Sequence, residues 1–225
     1  MTMKRILAIL LAAVMLLGLC ACGKDSQSQQ PTSTNSTPPS TSVTYGPPPP
    51  EDVGAVAEKF IFAYRQEDRL TYFPMYCYDH RGAELAKILA NGQTEEEFCA
   101  EAKRQLEEKE DLNLDMPINN FDDFLAAKYE ADKIYKKDAY GAYSVTTKAL
   151  GSQPLDATTL DDTRSALMAR WDEKCFDVDA MNAISDGHIV TVEIFIDGEK
   201  KDLHEKYRVL VVPYKGEWRI LSHSI

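Results

Sequence analysis

The last forty residues constrain the fold most, because their apolar and polar side chains alternate at the period of a β-strand. Ile189 to Asp197 is rich in β-branched residues, Asp197-Gly198-Glu199-Lys200 is a turn, and Lys206 to Pro213 is a second strand. Lys215-Gly216 makes a tight connection into Glu217 to Ser222. Val190, Val192, Ile194 and Ile196 share one face, as do Tyr207, Val209 and Val211, followed by Trp218 and Ile220. A sheet with one dry face needs a cover. The chain has helices available for it upstream.

Val53, Val56, Ala57, Phe60, Ile61 and Tyr64 recur at three- and four-residue steps, with Glu51 and Asp52 placing negative charge at the helix start. Leu70 to Tyr78 is aromatic-rich and interrupted by Pro74, which predicts a broken helical segment. Gly82 to Leu89 reads as a short helix ended by Asn91-Gly92. Thr94 and Glu97 form a capping box for the next helix, and Phe121 to about Tyr129 is a further amphipathic stretch. Ala142 to Thr147 predicts a strand stopped by Gly151 and Pro154. Thr159 and Asp162 then cap a helix carrying Leu160, Leu167, Met168, Trp171 and Cys175 on one face. Helices first and an antiparallel meander last give the α+β class, with N-terminal helices packed on a four-stranded, mainly antiparallel sheet.

The N-terminus is a different material. Lys4 and Arg5 lead into an apolar run from Ile6 to Leu19, the pattern of a secretory signal peptide. At 14 residues the run is shorter than the roughly 20 that span a bilayer as a helix. Its end, Leu19-Cys20-Ala21-Cys22-Gly23, resembles the lipobox of bacterial lipoproteins: an aliphatic residue three before the cysteine and a small one just before it. The resemblance implies a diacylglyceryl group on the Cys22 thiol and cleavage between Ala21 and Cys22. Cys20 fits less well, because Leu19 stands where a small residue is expected. Two acyl chains anchor stably where one is marginal. The implied address is the outer face of the cytoplasmic membrane, held there through the lipid.

Residues 23–50 hold 21 Ser, Thr, Pro or Gln among 28, and Val43 is their one aliphatic residue. Such a segment buries too little apolar surface to offset its ordering entropy, so a disordered tether of about 30 Å is expected. The organisation is therefore a signal peptide over 1–21, lipidated Cys22 and linker over 22–50, and one domain over 51–225.

Loss of Lys4 and Arg5 on cleavage takes the formal charge from −11 to −13. An acidic domain repels a phosphate backbone, which argues against nucleic acid as a partner. Cys77, Cys99 and Cys175 remain besides Cys22, each in an apolar stretch and without CxxC or Cys/His spacing. Buried thiols are the simplest expectation, although an oxidising compartment permits a disulfide.

The closing Val211-Val212-Pro213-Tyr214-Lys215-Gly216-Glu217-Trp218-Arg219-Ile220 resembles the ending of the cone-shaped domains of the ketosteroid-isomerase and nuclear-transport-factor-two type. Many extracytoplasmic lipoproteins of low-GC Gram-positive bacteria carry such a domain, related in outline to cystatins. The resemblance spans about Glu51 to Ile225 and implies a cone or cystatin-like fold. The helix from Thr159 to Cys175 departs from the simplest cone, and no catalytic residue of the family has a match here.

Pocket candidates come from the aromatic first half: Tyr64, Tyr72, Tyr76, Tyr78, Asp79 and His80. A carboxylate or imidazole beside tyrosine hydroxyls is the residue set that moves protons in an enclosed pocket. His188, His204 and His223, with Glu193 and Glu205, offer a weaker case for a metal across the strands. Asp177, Asp179 and Gly187 do not make a calcium loop, since Met181 stands where an oxygen ligand is needed. GxSxG, P-loop, GxGxxG and HExxH motifs are absent. The expectation is a non-catalytic binding or interaction domain without cofactor, taking a small ligand or a neighbouring envelope protein. The alternative is a small-molecule isomerase or hydrolase using Asp79 or His80.

Overall fold

In a computed structural model, residues 52–108 and 115–224 are described. The signal segment, Cys22 and the linker lie outside them. The described residues form seven α-helices and one four-stranded sheet, an α+β architecture. The strands are β1 (Tyr143–Pro154), β2 (His188–Gly198), β3 (Leu203–Tyr214) and β4 (Glu217–Ser224), ordered β1-β2-β3-β4 and antiparallel throughout.

Helix α1 (Asp52–Gln66) lies across all four strands. Its Val53, Ala57, Phe60 and Ile61 meet Val190, Val192, Ile194, Tyr207, Val209, Val211 and Ile220 in one buried core. The hydrophobic effect therefore acts on the face that the alternation marks. The β3–β4 hairpin turns on Lys215 and Gly216, with φ of 52° and 82°, so both central residues are left-handed. That turn matches the right-handed twist of the flanking strands. A bulge in β4 gives Leu210 Ser222 as partner and Val211 Ile220, which lets Ile220 and Leu221 both be buried.

Glu67 breaks α1 with a positive φ, and the Asp68 carboxylate caps α2 (Arg69–Tyr72) by accepting from the Thr71 amide. Pro74 sits in the 3₁₀ turn Phe73–Met75 that follows, so this segment is broken as its proline predicts. The chain then runs beside β4, where Tyr76 bridges Ile220 and the Cys77 amide donates to the Ile220 carbonyl. Asp79 caps α3 (His80–Leu89), accepting from the Gly82 amide at 2.8 Å. A Cβ on Gly82 would lie 2.2 Å from that carboxylate, so glycine makes the cap possible. The capping box of Thr94 and Glu97 opens α4 (Glu95–Glu107).

Helix α5 spans Phe121–Tyr140, eleven residues beyond the amphipathic stretch read from the sequence. Past Ala131 it loses its apolar stripe, and Ile134 and Tyr135 are exposed. Ion pairs Lys128–Asp132 and Lys133–Glu130 run along this part, and Gly141 ends it. Strand β1 likewise runs past Thr147, through a bulge at Leu150, to Pro154. Glu58 of α1 accepts from the Ala149 amide next to that bulge.

Helix α6 is Ala157–Arg170, capped by Asp156 and not by Thr159. It stops before Trp171, so Cys175 belongs to a separate 3₁₀ turn, Glu173–Cys175. The short α7 (Val178–Asn182) follows, with Asp177 serving as its cap and pairing Lys215 at 2.6 Å. Cys77, Cys99 and Cys175 are buried free thiols. Burial pushes the Cys77 thiol up to about 12. Among the described residues no helix is long and apolar enough to cross a membrane.

Candidate functional site

A cavity of about 370 Å³ opens where the end of α1, the α2–α3 segment, the end of α6 and the end of β4 meet. Tyr64 reaches it from α1, Tyr72 from α2, Tyr76 and Tyr78 from the extended segment, and His80 and Glu84 from α3. Leu167, Arg170 and Trp171 close one side, and Leu221, Ser222 and His223 close the sheet side. Five of the six residues singled out in the sequence thus line one cavity.

Asp79 does not line it. Its side chain is the exposed α3 cap, and the backbone turn there sends the neighbouring His80 ring inward. Asp79 lies instead on an adjoining open groove of about 540 Å³, which also touches Tyr76 and Tyr78. Four of the charged side chains in that groove pair with one another: Lys215 pairs Asp177, and Arg219 pairs Glu217 and donates to the Pro74 carbonyl. The smaller cavity is the better ligand site because its lining is aromatic and more enclosed.

The two histidines of the cavity are built alike. His80 Nδ1 lies 2.8 Å from the Tyr78 hydroxyl, and His223 Nδ1 lies 3.2 Å from the Tyr76 hydroxyl. Tyr76 also stacks on the His80 ring, with centroids 4.4 Å apart, so one tyrosine links both imidazoles. His80 Nε2 is 4.0 Å from the Glu84 carboxylate. A neutral His80 with its proton on Nε2 lets Nδ1 accept from Tyr78 while Nε2–H faces Glu84.

Burial, followed by the fields of His223 and Arg170, lowers His80 to about 4. Burial lowers His223 as well. The phenols of Tyr64, Tyr72, Tyr76 and Tyr78 are all raised, chiefly by burial. Desolvation therefore holds every imidazole and phenol of the lining in its uncharged form at neutral pH.

Strand histidines do not converge. His223 points into the cavity from the inner face of β4, paired with Val209 across the sheet. His188 packs against Trp218, centroids 5.4 Å apart. His204 is on the outer face, stacked on Phe195 and 3.0 Å from Glu193. Among the described residues no three His, Cys, Asp or Glu side chains are arranged to hold a metal ion.

His223, Trp171 and Arg170 were not in the sequence-derived pocket set. Each arrives from a part of the chain at least 90 residues from His80, so only the fold brings them in. Compared with known proteins, the chain matches no family, no curated protein and no solved structure.

Proposed function

We propose that the chain is a lipoprotein, held at the outer face of the cytoplasmic membrane by acylated Cys22, whose domain binds a small molecule in the cavity between His80 and His223. The observation that carries the binding half is the aromatic cavity itself, with two imidazoles each fixed by a tyrosine hydroxyl. Cavities lined by apolar and aromatic surface with a few oriented polar groups are the usual form of a small-molecule site. The signal segment, the lipobox-like run and the Ser/Thr/Pro/Gln-rich linker support the anchoring half. Helices preceding a closing meander support the cone-like reading of the domain.

An isomerase or hydrolase is the second reading, favoured by His80 standing in the cavity beside the Tyr78 hydroxyl. General-base efficiency is greatest when the group's pKa lies near the working pH. A histidine held down at about 4 is a weak base, and phenols held up are weak acids. That balance favours binding over proton transfer.

For the anchor, cells given a palmitate analogue are expected to label the wild-type chain in the membrane fraction, while Cys22→Ser is unlabelled and soluble. Equal labelling of both chains overturns the anchor. For the cavity, a fragment library screened by NMR against the full chain in mild detergent is expected to move the indole resonance of Trp171, which lines the cavity. Trp218, packed on His188 elsewhere, serves as the internal control. A library that never moves Trp171 overturns the binding reading.

A further inference from the structure

From the two opposite charges in the cavity lining, we infer that its ligand is a small zwitterion, an ammonium and a carboxylate on one apolar body, as in an apolar amino acid. The inference rests on the cavity being a ligand site and adds the chemical class it takes. Glu84 and Arg170 are the formally charged residues of the lining, and they come from different elements, α3 and α6. They do not pair with each other. Glu84 has the His80 imidazole beside it, its carboxylate 4.0 Å from Nε2. Burial keeps that ring neutral, so the carboxylate faces a weak donor and no counter-charge. Arg170 makes no ion pair among the described residues, and its guanidinium lies over the Trp171 ring, 5.0 Å from the centroid.

An open guanidinium is unusual in this chain, which carries 36 acidic residues against 25 Lys and Arg. Arg65, Arg69, Arg81, Arg104, Arg164 and Arg219 each hold a carboxylate, and Arg208 is exposed on the outer sheet face. Both lining charges act on one phenol: beyond the burial that raises Tyr78 most, Glu84 raises it further and Arg170 lowers it. One small molecule in the cavity can therefore reach both. The guanidinium fork matches a carboxylate, and the Glu84 carboxylate matches an ammonium, in charge-assisted hydrogen bonds. A ligand with a single charge displaces water from both groups but partners one of them, which leaves the other desolvated at a cost. Leu167, Leu221 and the tyrosine rings also line the cavity, and they suit an apolar body.

Matched analogues that each lack one charge test this. L-phenylalanine, phenethylamine and 3-phenylpropanoate share one body, as do L-leucine, 3-methylbutylamine and 4-methylpentanoate. Each is titrated at pH 7 into the full chain in neutral detergent, with affinity read from the Trp171 indole resonance. At least one amino acid is expected to bind about fivefold or more tightly than both of its singly charged analogues. Arg170→Gln is expected to erase the advantage over the amine, and Glu84→Gln the advantage over the carboxylate. Both side chains reach solvent, so neither change opens a hole in the core. Equal or tighter binding of a singly charged analogue in both sets overturns the zwitterion, as does an advantage that survives either substitution. If neither amino acid moves Trp171 while the fragment library does, the zwitterion falls and the ligand site stands. Silence from both overturns both.

Discussion

Phe60→Ala is expected to lower the unfolding free energy by about 3–5 kcal/mol, a large share of a marginal domain's total. Phe60 is fully buried on the face of α1 that lies across the sheet. Its ring stacks on Tyr64 at 6.0 Å and meets Tyr72, Tyr76 and His223 edge-on at 5.9, 5.3 and 5.1 Å. Truncation removes the apolar area of one large ring and leaves a void under four others. Aromatic pairs add about 0.5–1.5 kcal/mol each beyond their area, so relaxation cannot recover the loss cheaply. Urea denaturation of the wild type and the variant measures it, and a loss below about 1 kcal/mol would show that the ring cluster does not hold this part of the core. The same substitution also loosens the floor under His223, so fragment shifts at Trp171 are expected to weaken with it.

How far this site was legible follows from where its residues lie along the chain. Tyr64, Tyr72, Tyr76, Tyr78 and His80 fall within 17 consecutive positions, and a broken helical segment can gather them locally. Asp79 looked equivalent on residue type, but a carboxylate one residue before a helix is consumed as its cap. His223 required two long-range facts: the antiparallel register placing it opposite Val209, and the Tyr76–Ile220 bridge drawing the aromatic segment against β4. Trp171 required the early end of α6, which periodicity had carried on to Cys175.

The fold shows the same division. β2, β3 and β4 were readable because one face of each is dry and period two is unambiguous there. The second half of α5 and the end of β1 were not, for opposite reasons. Exposed Ile134 and Tyr135 give α5 no apolar stripe to detect, and the bulge at Leu150 breaks the alternation of β1. Gly151 and Pro154 read as stops, yet a bulge accommodates the first and the last position of β1 accepts the second.

Acidification from pH 7 to pH 4.5 is expected to destabilise the wild type by about 2–2.5 kcal/mol through His80 alone. The folded His80 is held down at about 4, while the unfolded chain returns it to its ordinary value near 6.5. Between those values the unfolded state binds the extra proton, so stability is fully present above about pH 6.5 and is lost as the pH falls towards 4. His223 is lowered too and acts in the same direction. Burial sets most of the effect, His223 adds to it, and the charged groups around His80 adjust it. Arg170 and Lys87 disfavour the imidazolium, and Asp79 partly offsets them. The His80 side chain is only 14% exposed, so solvent screens little of this. Carboxylates held low, such as Asp156 and Asp177, lose their contribution only at more acidic pH. Urea midpoints across pH 7 to 4.5 should therefore fall steeply in the wild type and more shallowly in His80→Gln, which has no proton to gain. Parallel slopes in the two proteins would show that His80 is already charged or solvated in the folded state. The neutral imidazole assigned to His80 in the cavity would then have no basis.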